Sequence, residues 1–280
     1  SNEGIKTVYY APLAVNTERL KRMFENEDAV KSQAYAGDIS FIGSMYNEKH
    51  NLYDKLNGVN DYTKGYLDAI MKAQRSIYGY FFLEDMLKGD VLDEMLRVCP
   101  VKPNKDGVET VQYVYANYFL ARRMATDERT DIMSRIGREL GVKNKINLYT
   151  PDSAVKFINV NNRGTVDYYN EMPYVFRNSR INLNITLRSI KSGIPLRCMD
   201  VCGAGGFLLS NYQEDLYDVF VPGEDMVIYD SIDDLMNKCK YYLSHDAERR
   251  QIAQNGFGKI EERHTYDIRF EEIFDVVFNG

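Results

Sequence analysis

The sequence contains no tryptophan, only three histidines and only four cysteines among its 280 residues. Four cysteines are too few for a disulfide framework in a chain of this length, so we expect reduced thiols and a cytoplasmic location. Cys198 and Cys202 are four residues apart and could share a helix face that binds a metal, but no paired Cys or His motif stands near them. Because free cysteine is also a common small buried side chain, we predict no metal site.

Long apolar runs and an excess of positive charge are also missing. The longest apolar stretches, such as residues 207–209 and 219–221, have the length of a strand, whereas a helix that crosses a bilayer needs roughly 20 residues. The 35 basic and 41 acidic residues give a net charge of −6. Proteins that bind a nucleic-acid backbone or an anionic membrane usually carry the opposite sign or a dense basic stripe. We therefore predict no transmembrane segment and no nucleic-acid partner, while a small anionic ligand remains compatible with the charge.

The overall composition, 44% hydrophobic and 27% charged, is that of a globular protein. Strand-like and helix-like segments alternate after Gly141, which is typical of a parallel α/β sheet. We predict strands at 38–46, 145–150, 166–169, 181–186, 206–210 and 226–229. Helices are predicted at 172–177, 195–202, 216–220, 232–243, 247–256 and 266–277.

Residues 62–140 have a different pattern, in which apolar side chains recur at three- and four-residue spacing. One such series is Val111, Val114, Tyr115, Tyr118 and Phe119. This spacing is the period of a helix, and no strand pattern interrupts it. We therefore predict an all-helical block of about 80 residues, and we expect its aromatic side chains to form a core rather than a ligand platform.

The sequence Gly-Ala-Gly-Gly at 203–206 is similar to a dinucleotide-binding fingerprint. That fingerprint needs a strand, then the glycines, then a helix, so that the pyrophosphate meets the helix N-terminus. Here the order is reversed, with a predicted helix before the glycines and a predicted strand after them. We interpret the glycines as a helix C-cap and a tight entry to the next strand. An NAD-type oxidoreductase is correspondingly disfavoured.

The other end of that predicted helix has the chemistry of an anion site. Ser192 or Gly193 can cap it, and Pro195 suits its first turn. Free backbone N–H groups and the positive end of the helix dipole favour an anion there, and Arg197 adds a bidentate phosphate donor. Asp200 lies three residues further on, where its carboxylate can accept hydrogen bonds from ribose hydroxyls. The alternative, that Arg197 and Asp200 form only a local ion pair, is equally compatible with the sequence.

Several of these segments resemble the C-terminal domain of glycosyltransferases related to CgeB-type spore maturation proteins. The resemblance is carried by residues 38–46, 181–184, 193–200, 203–211, 241–243, 248–253, 255–256 and 264–266 with Arg269, in this order. The helical block is also similar to an insertion in those relatives, and the match spans most of residues 8–272. This resemblance implies a metal-independent hexosyltransferase of the GT-B type, in which two Rossmann-like domains face each other and the C-terminal one holds the nucleotide-sugar donor.

The resemblance also implies a domain organisation. Residues 1–35 are expected to be a remnant or linker from a missing N-terminal GT-B domain, 36–58 and 142–280 a Rossmann-like nucleotide-sugar-binding domain, and 59–141 the helical insertion. The predicted fold class is thus α/β, a Rossmann-like parallel sheet that forms the C-terminal half of a GT-B enzyme, with an all-helical insertion. Because the acceptor domain would precede Tyr9, we expect this chain to bind donor without turning it over on its own.

By the same resemblance, two groups of residues would hold the donor. Those expected at the diphosphate are Gly43, Ser44, Lys49, Gly193 and Arg197. Those expected at the ribose and base are Asp200, Tyr149, Thr150 and Tyr168. The fold needs no metal, because cationic side chains and helix dipoles can offset the charge of the leaving diphosphate. We assign no catalytic base and no cofactor beyond the nucleotide sugar, and the acceptor is an unknown glycan, protein or small molecule.

A second hypothesis belongs to another class, a non-catalytic α/β interaction module with a vestigial nucleotide site. The glycosyltransferase hypothesis requires Arg197 and Asp200 to line one pocket beside Gly43 and to bind a nucleoside diphosphate. The interaction-module hypothesis requires an empty cleft and an exposed apolar patch on residues 62–140. Nucleotide binding therefore distinguishes the two.

Overall fold

The computed structural model describes residues 9–26, 28–47, 51–104 and 109–279. Its centre is a six-stranded, all-parallel sheet with the strand order β3-β2-β1-β4-β5-β6. The strands are β1 Gly37–Ile42, β2 Ile146–Tyr149, β3 Val160–Asn162, β4 Ser179–Asn184, β5 Leu208–Asn211 and β6 Val227–Tyr229. This is the strand order of a Rossmann sheet. The predicted fold class, a Rossmann-like α/β domain, is confirmed.

Along the chain, helices lie before β1, between the strands and after β6. Before β1 lie α1 Thr17–Glu25 and α2 Ala29–Tyr35; between β1 and β2 lie α3 Asp61–Arg75, α4 Leu83–Met86, α5 Gly89–Val98, α6 Val111–Val114 and α7 Ala121–Glu139. A π-helical segment, Tyr115–Leu120, joins α6 to α7, and short 3₁₀ helices occur at Leu52–Leu56 and Glu214–Asp218. The remaining helices are α8 Met172–Asn178, α9 Leu196–Gly203, α10 Ile232–Ser244, α11 Asp246–Arg263 and α12 Tyr266–Asn279. No helix in the described ranges combines the length and apolar character needed to cross a membrane.

The two faces of the sheet carry separate apolar cores, because successive strand side chains point to opposite faces. On one face α7 and α10 pack against the strands, through side chains that include Ile132, Ile136, Leu235 and Met236. On the other face lie α8 and α9, through side chains that include Met172, Phe176, Cys198 and Met199. Covering both faces is what an all-parallel sheet requires.

The helical block has a third core of its own. All secondary structure described between residues 59 and 141 is helical, as the apolar spacing predicts. Its core includes Leu67, Met95, Tyr115, Phe119 and Met124, so the aromatic side chains are indeed core residues. The long helix α7 belongs to two cores: its first turns pack in the helical block and its later turns pack on the sheet.

One predicted strand is wrong. Residues 166–169 form a loop and turn, and the edge strand is instead β3, which pairs with β2. The Asp167 side chain accepts hydrogen bonds from the backbone N–H groups of Tyr169 (3.1 Å) and Asn170 (2.7 Å). Such an Asx turn competes with strand pairing, and it brings the chain into α8.

The interpretation of the glycines after α9 is confirmed. Gly205 has φ of +76°, a conformation that glycine adopts without steric cost. The Gly206 N–H donates to the carbonyl of Val201 at 2.9 Å, which closes the end of the helix. A Cβ at Gly206 would lie 2.6 Å from the carbonyl oxygen of Phe176, so the entry to β5 also needs a residue without a side chain.

Candidate functional site

The strand order reverses between β1 and β4, and ligands of open α/β sheets bind outside the carboxyl ends of the strands at such a switch point. Gly43 and Ser44 follow β1 there, and Ile185 follows β4. The Gly43 N–H donates to the carbonyl of Tyr149 at 3.0 Å. Gly43 and Tyr149, two of the residues predicted to contact the nucleotide sugar, are therefore adjacent at this edge of the sheet.

Arg129, a residue that the sequence analysis missed, joins the two central strands at the switch point. It extends from α7, and its guanidinium donates to the carbonyl oxygens of both Ser44 and Ile185. Its carbon Cζ lies 4.6 Å from the ring centre of Tyr46. Burial lowers the pKa of Arg129. The sequence did carry a signal, since Arg129 stands three and four residues before the core side chains Ile132 and Met133, on the inward face of a helix.

The start of α9 is held by the loop that precedes it. The Gly193 N–H donates to the carboxylate of Asp215, which follows β5. Pro195 occupies the N-cap position before the first helical residue, Leu196, and no side chain of the described residues caps the helix, so the predicted cap at Ser192 or Gly193 and the predicted place of Pro195 in the first turn are wrong. The Gly193 N–H is thus already taken by a carboxylate, and its role at a diphosphate stays a prediction.

Arg197 and Asp200 are residues of α9, and Arg197 contacts α8. The Arg197 Nη1 atom is 3.6 Å from Asp200 Oδ2, so the ion pair left open by the sequence is present. The guanidinium also donates to the sulfur of Met172 and lies 5.2 Å from the ring centre of Phe176. Its side chain is 25% exposed, and burial lowers its pKa. The role of Arg197 at a diphosphate stays a prediction.

Tyr168 and Asp200 are brought together from segments 32 residues apart. The Tyr168 hydroxyl donates to Asp200 Oδ1 at 2.8 Å. Burial, followed by the Asp200 charge, raises the pKa of Tyr168, and burial raises the pKa of Asp200. The second oxygen, Oδ2, is buried and has no hydrogen-bond partner within the described ranges. A cavity of about 500 Å³ opens beside this pair, bounded also by Met172 and Leu196.

The other predicted residues are less closely connected to this cavity. Tyr149 and Thr150 are buried at the end of β2, and neither hydroxyl has a hydrogen-bond partner in the part of the chain that the structure describes. Burial raises the pKa of Tyr149. Lys49 lies outside the described residues. The structure therefore joins Gly43 to Tyr149 and Tyr168 to Asp200. Neither Gly43 nor Arg197 lines the cavity of about 500 Å³, so the described part of the chain does not show the single pocket that the glycosyltransferase hypothesis expects these residues to share with Asp200.

A second cavity, of about 320 Å³, lies where the helical block covers the carboxyl ends of β4 and β5. Arg188 from the loop after β4 lines it, together with Ser192 and Gln213. Arg188 is paired with Glu128 of α7 at 2.7 Å, and each of these side chains is 4% exposed. No local pattern indicates this pair, because its members are 60 residues apart in the chain.

The cysteines do not form a site. Cys198 and Cys202 are buried in the core between α9 and the sheet. Burial raises the pKa of Cys198 to about 12 and that of Cys202 well above its ordinary value, so both remain neutral thiols. Among the described residues, no group of three or more His, Cys, Asp or Glu side chains is placed to hold a metal ion.

Comparison with known proteins gives a family. The family described as "Glycosyl transferase-like" matches residues 129–275, which is more than half of the chain. A search of curated proteins finds no significant match. Among solved structures, a trehalose-6-phosphate synthase is 14% identical, with 96% of this chain and 50% of that one covered at a TM-score of 0.48.

Two further structures have similar coverage. A sucrose-phosphate synthase from Thermosynechococcus elongatus is 11% identical, with 96% of this chain and 52% of that one covered at a TM-score of 0.44. A glycosyltransferase from Rickettsia africae is 8% identical, with 96% and 57% covered at a TM-score of 0.46. The chain therefore spans about half the length of these structures.

Proposed function

This chain belongs to the glycosyl transferase-like family, and we propose that it binds the nucleotide-diphosphate sugar from which a GT-B glycosyltransferase transfers a hexosyl unit. The acceptor is a glycan, a protein or a small molecule, and the transfer needs no metal. The CgeB-like subtype is part of the proposal. Its support is the family match together with the geometry at the carboxyl edge of the sheet.

The observation that carries the proposal is the pair of Tyr168 and Asp200 beside the cavity of about 500 Å³. Asp200 Oδ2 is buried without a hydrogen-bond partner among the described residues. Its charge is offset in part by Arg197 Nη1 at 3.6 Å, and a hydrogen bond donated by a ligand would further offset the cost of its burial. Ribose offers two adjacent hydroxyl donors, and the cavity has the volume of a small-molecule site.

The diphosphate would lie at the start of α9, next to that cavity. Leu196, the first helical residue, lines the cavity, and the positive end of the helix dipole favours negative charge there. Within this turn the N–H of Cys198 already donates to the carbonyl of Pro195 at 2.9 Å. Arg197 lies in the same turn, and its present partner Asp200 is at 3.6 Å, longer than a charge-assisted hydrogen bond. The Arg197 guanidinium therefore has only a long contact with its acidic partner, and a diphosphate could form the closer ion pair.

The exposed apolar side chains of the helical block disfavour the interaction-module alternative, which places its docking patch on residues 62–140. Outside the block, exposed apolar side chains do occur along α12, including Phe270, Phe274 and Phe278. Within residues 62–140, the large apolar side chains exposed among the described residues are Tyr62, Ile77 and Tyr80. Ile77 and Tyr80 border the second cavity, and Tyr62 lies on α3. They do not make up the continuous patch that docking of a protein partner would need.

Thermal unfolding with UDP, GDP, ADP, TDP and CDP tests the proposal. A ligand at 100 times its dissociation constant stabilises a protein by about 2.7 kcal/mol, which in a chain of this size raises Tm by about 2–4 °C per kcal/mol. We expect a shift with one base, and we expect Asp200→Asn to reduce it. Asp93→Asn, an exposed aspartate on α5, is the matched control. No shift with any nucleotide, or an equal loss in the control, would contradict donor binding.

A further inference from the structure

The second cavity lies between the helical block and the sheet, and it is not used by the nucleoside and diphosphate described above. Its walls come from three parts of the chain: residues 77–85 of the helical block, the loop 188–192 after β4, and residues 212–215 after β5. Its volume of about 320 Å³ is within the range of small-molecule sites.

The wall contributed by the helical block is held in place by one buried side chain. Gln74 is fully buried, and its amide nitrogen donates to the carbonyl oxygens of Ile77 (3.2 Å) and Tyr80 (2.8 Å). Its amide oxygen accepts the N–H of Phe82 at 2.8 Å. These three bonds fix the loop 77–82 before any ligand arrives, which lowers the entropic cost of binding.

The same loop packs closely on the sheet side of the cavity. Gly79 has φ of +76°, and a Cβ there would lie 2.9 Å from the ring of Tyr212. Only a residue without a side chain allows this approach. Tyr80 and Tyr212 consequently line the same cavity, and the contact between Gly79 and Tyr212 sets the distance between its two walls.

The charges around the cavity favour an uncharged ligand. Its cations are Arg188 and Lys191, and its anions are Asp85, Glu214 and Asp215. Both cations already have acidic partners, since Arg188 pairs with Glu128 at 2.7 Å and Lys191 with Glu84 at 2.8 Å. An anionic ligand would therefore meet no unpaired cation among these residues and would approach a surplus of carboxylates.

Hydrogen-bonding groups are nevertheless available. The buried Arg188 guanidinium lies against the Tyr78 ring, 3.1 Å from its centre, and its Nε and Nη1 atoms have no hydrogen-bond partner among the described residues. Asp85 accepts the Tyr80 hydroxyl at 3.1 Å and retains further lone pairs. The Gln213 amide has a single long contact, 3.4 Å to the carbonyl of Ile190. The cavity thus offers both donors and acceptors next to aromatic rings.

We propose that this cavity binds the ring of an uncharged hexose, and that residues 77–85 of the helical block select which hexose fits. A pyranose has hydroxyl groups that both donate and accept, which match carboxylate, amide and guanidinium groups, and apolar C–H faces that match tyrosine rings. The inference rests on the proposed function for its source of sugar, which is either the donor or the acceptor.

The position beside the start of α9 supports a connection with the donor. Ser192 lines this cavity and Leu196 lines the cavity next to Tyr168 and Asp200. Four residues of chain span at most about 14 Å. A nucleotide sugar bound with its nucleoside in one cavity can therefore reach the other across the helix start.

The experiment compares affinities for a nucleoside diphosphate, for its hexose conjugates and for free hexoses, measured by calorimetry and by saturation-transfer NMR. The nucleoside diphosphate used is the one that raises Tm in the thermal-unfolding experiment described above. The probes are its glucose, galactose, mannose and N-acetylglucosamine conjugates, and the same free sugars at millimolar concentration with glucuronate as the charged comparison. The variants are Tyr80→Ala and Asp85→Asn, both exposed positions. Tyr62→Ala, an exposed tyrosine of the same block away from the cavity, is the control.

A donor sugar in the cavity predicts that Tyr80→Ala and Asp85→Asn weaken one conjugate by roughly 10-fold, the loss of about 1.4 kcal/mol, and leave the nucleoside diphosphate unchanged. An acceptor sugar predicts that a free hexose binds together with the intact conjugate and that the same variants abolish its NMR signal. Tighter binding of glucuronate than of the hexoses, or variants that behave like Tyr62→Ala with every sugar, would overturn the inference. If free hexose binds but no nucleotide does, the inference stands and the proposed function fails.

Discussion

Arg188 in the loop after β4 and Glu128 in α7 form an ion pair of 2.7 Å in which each side chain is only 4% exposed. Arg188 also donates to the carbonyl of Arg75, the last residue of α3, at 3.1 Å. The pair therefore ties the loop beside the proposed donor site to two helices of the helical block. Since a buried ion pair costs desolvation energy, we interpret it as a positional link that fixes the block over the carboxyl edge of the sheet.

Removal of one partner of this pair is expected to be costly. Glu128→Gln leaves the Arg188 guanidinium buried without its counter-charge, and we expect a loss of about 3–5 kcal/mol in the free energy of unfolding. Urea denaturation measures it. In Glu128→Leu combined with Arg188→Met no buried charge is left uncompensated, so most of the loss should be recovered. A double variant as unstable as the single one would argue against this explanation.

The stability of the chain is expected to depend on pH through His264, which is 8% exposed at the end of α11. Burial, and then the charge of Arg269, lowers the pKa of His264; the two side chains are 3.0 Å apart. The unfolded chain therefore binds this proton more readily than the folded one. The contribution of neutral His264 to the free energy of unfolding is complete above the pKa of about 6.5 in the unfolded chain, and it is lost as the pH falls below that value.

Urea denaturation at about pH 7.5 and about pH 5.5 checks this expectation, because the window brackets the histidine pKa. The free energy of unfolding should be lower at the acidic pH, and His264→Gln should reduce that difference. The His264 carbonyl accepts the Val15 N–H at 2.8 Å, so protonation should also loosen the contact of the segment before α1. An unchanged pH dependence in His264→Gln would assign the effect to other groups.

Two glycines of α11 should respond oppositely to alanine. A Cβ at Gly256 would overlap the carbonyl oxygen of Asp225, whereas at Gly258 it would meet nothing within 4 Å. We expect Gly256→Ala to destabilise the chain by about 1–3 kcal/mol through overpacking. Gly258→Ala should stabilise it by up to about 1 kcal/mol, because alanine is the better helix former. Thermal or urea unfolding of both variants gives the comparison, and effects of the same sign would be inconsistent with this packing.

The roles of Arg197 and Asp200 can be separated by ligand size. If Arg197 binds the diphosphate and Asp200 the ribose, Arg197→Gln should weaken the nucleoside diphosphate and leave the nucleoside alone unaffected. Asp200→Asn should weaken both. A hydrogen bond to a charged group contributes about 1.5–3 kcal/mol, which corresponds to a loss of roughly 10- to 150-fold in affinity. Calorimetric titration of each of the two variants with the nucleoside and with the nucleoside diphosphate measures these affinities. An equal effect of Arg197→Gln on both ligands would indicate that the arginine acts only through its ion pair with Asp200.

The sheet was largely predictable from the sequence because its strands carry local signals. The apolar residues of β4 and β5 and the glycines between α9 and β5 define the strands and the turn without any distant contact. The segment 166–169 failed for a local reason as well: its β-branched and aromatic residues favour a strand, but the side chain of Asp167 captures two backbone N–H groups. Turn chemistry prevailed over propensity there.

The connections around the site could not be read from local patterns. Arg129 reaches Ser44 across 85 residues, and Arg188 reaches Glu128 across 60. Periodicity predicts which face of a helix is buried, but it does not identify the partner that a buried charge meets. Tyr168 and Asp200 were both expected near the ribose, but the hydrogen bond between them joins the turn before α8 to α9 across 32 residues, which no local pattern indicates.

A crystal structure of the chain with the nucleoside diphosphate that raises Tm most is the most direct test of donor binding. We predict the ribose within hydrogen-bond distance of Asp200, beside Tyr168, and the diphosphate at the start of α9. A nucleotide bound elsewhere on the chain, or no bound nucleotide at saturating concentration, would contradict it.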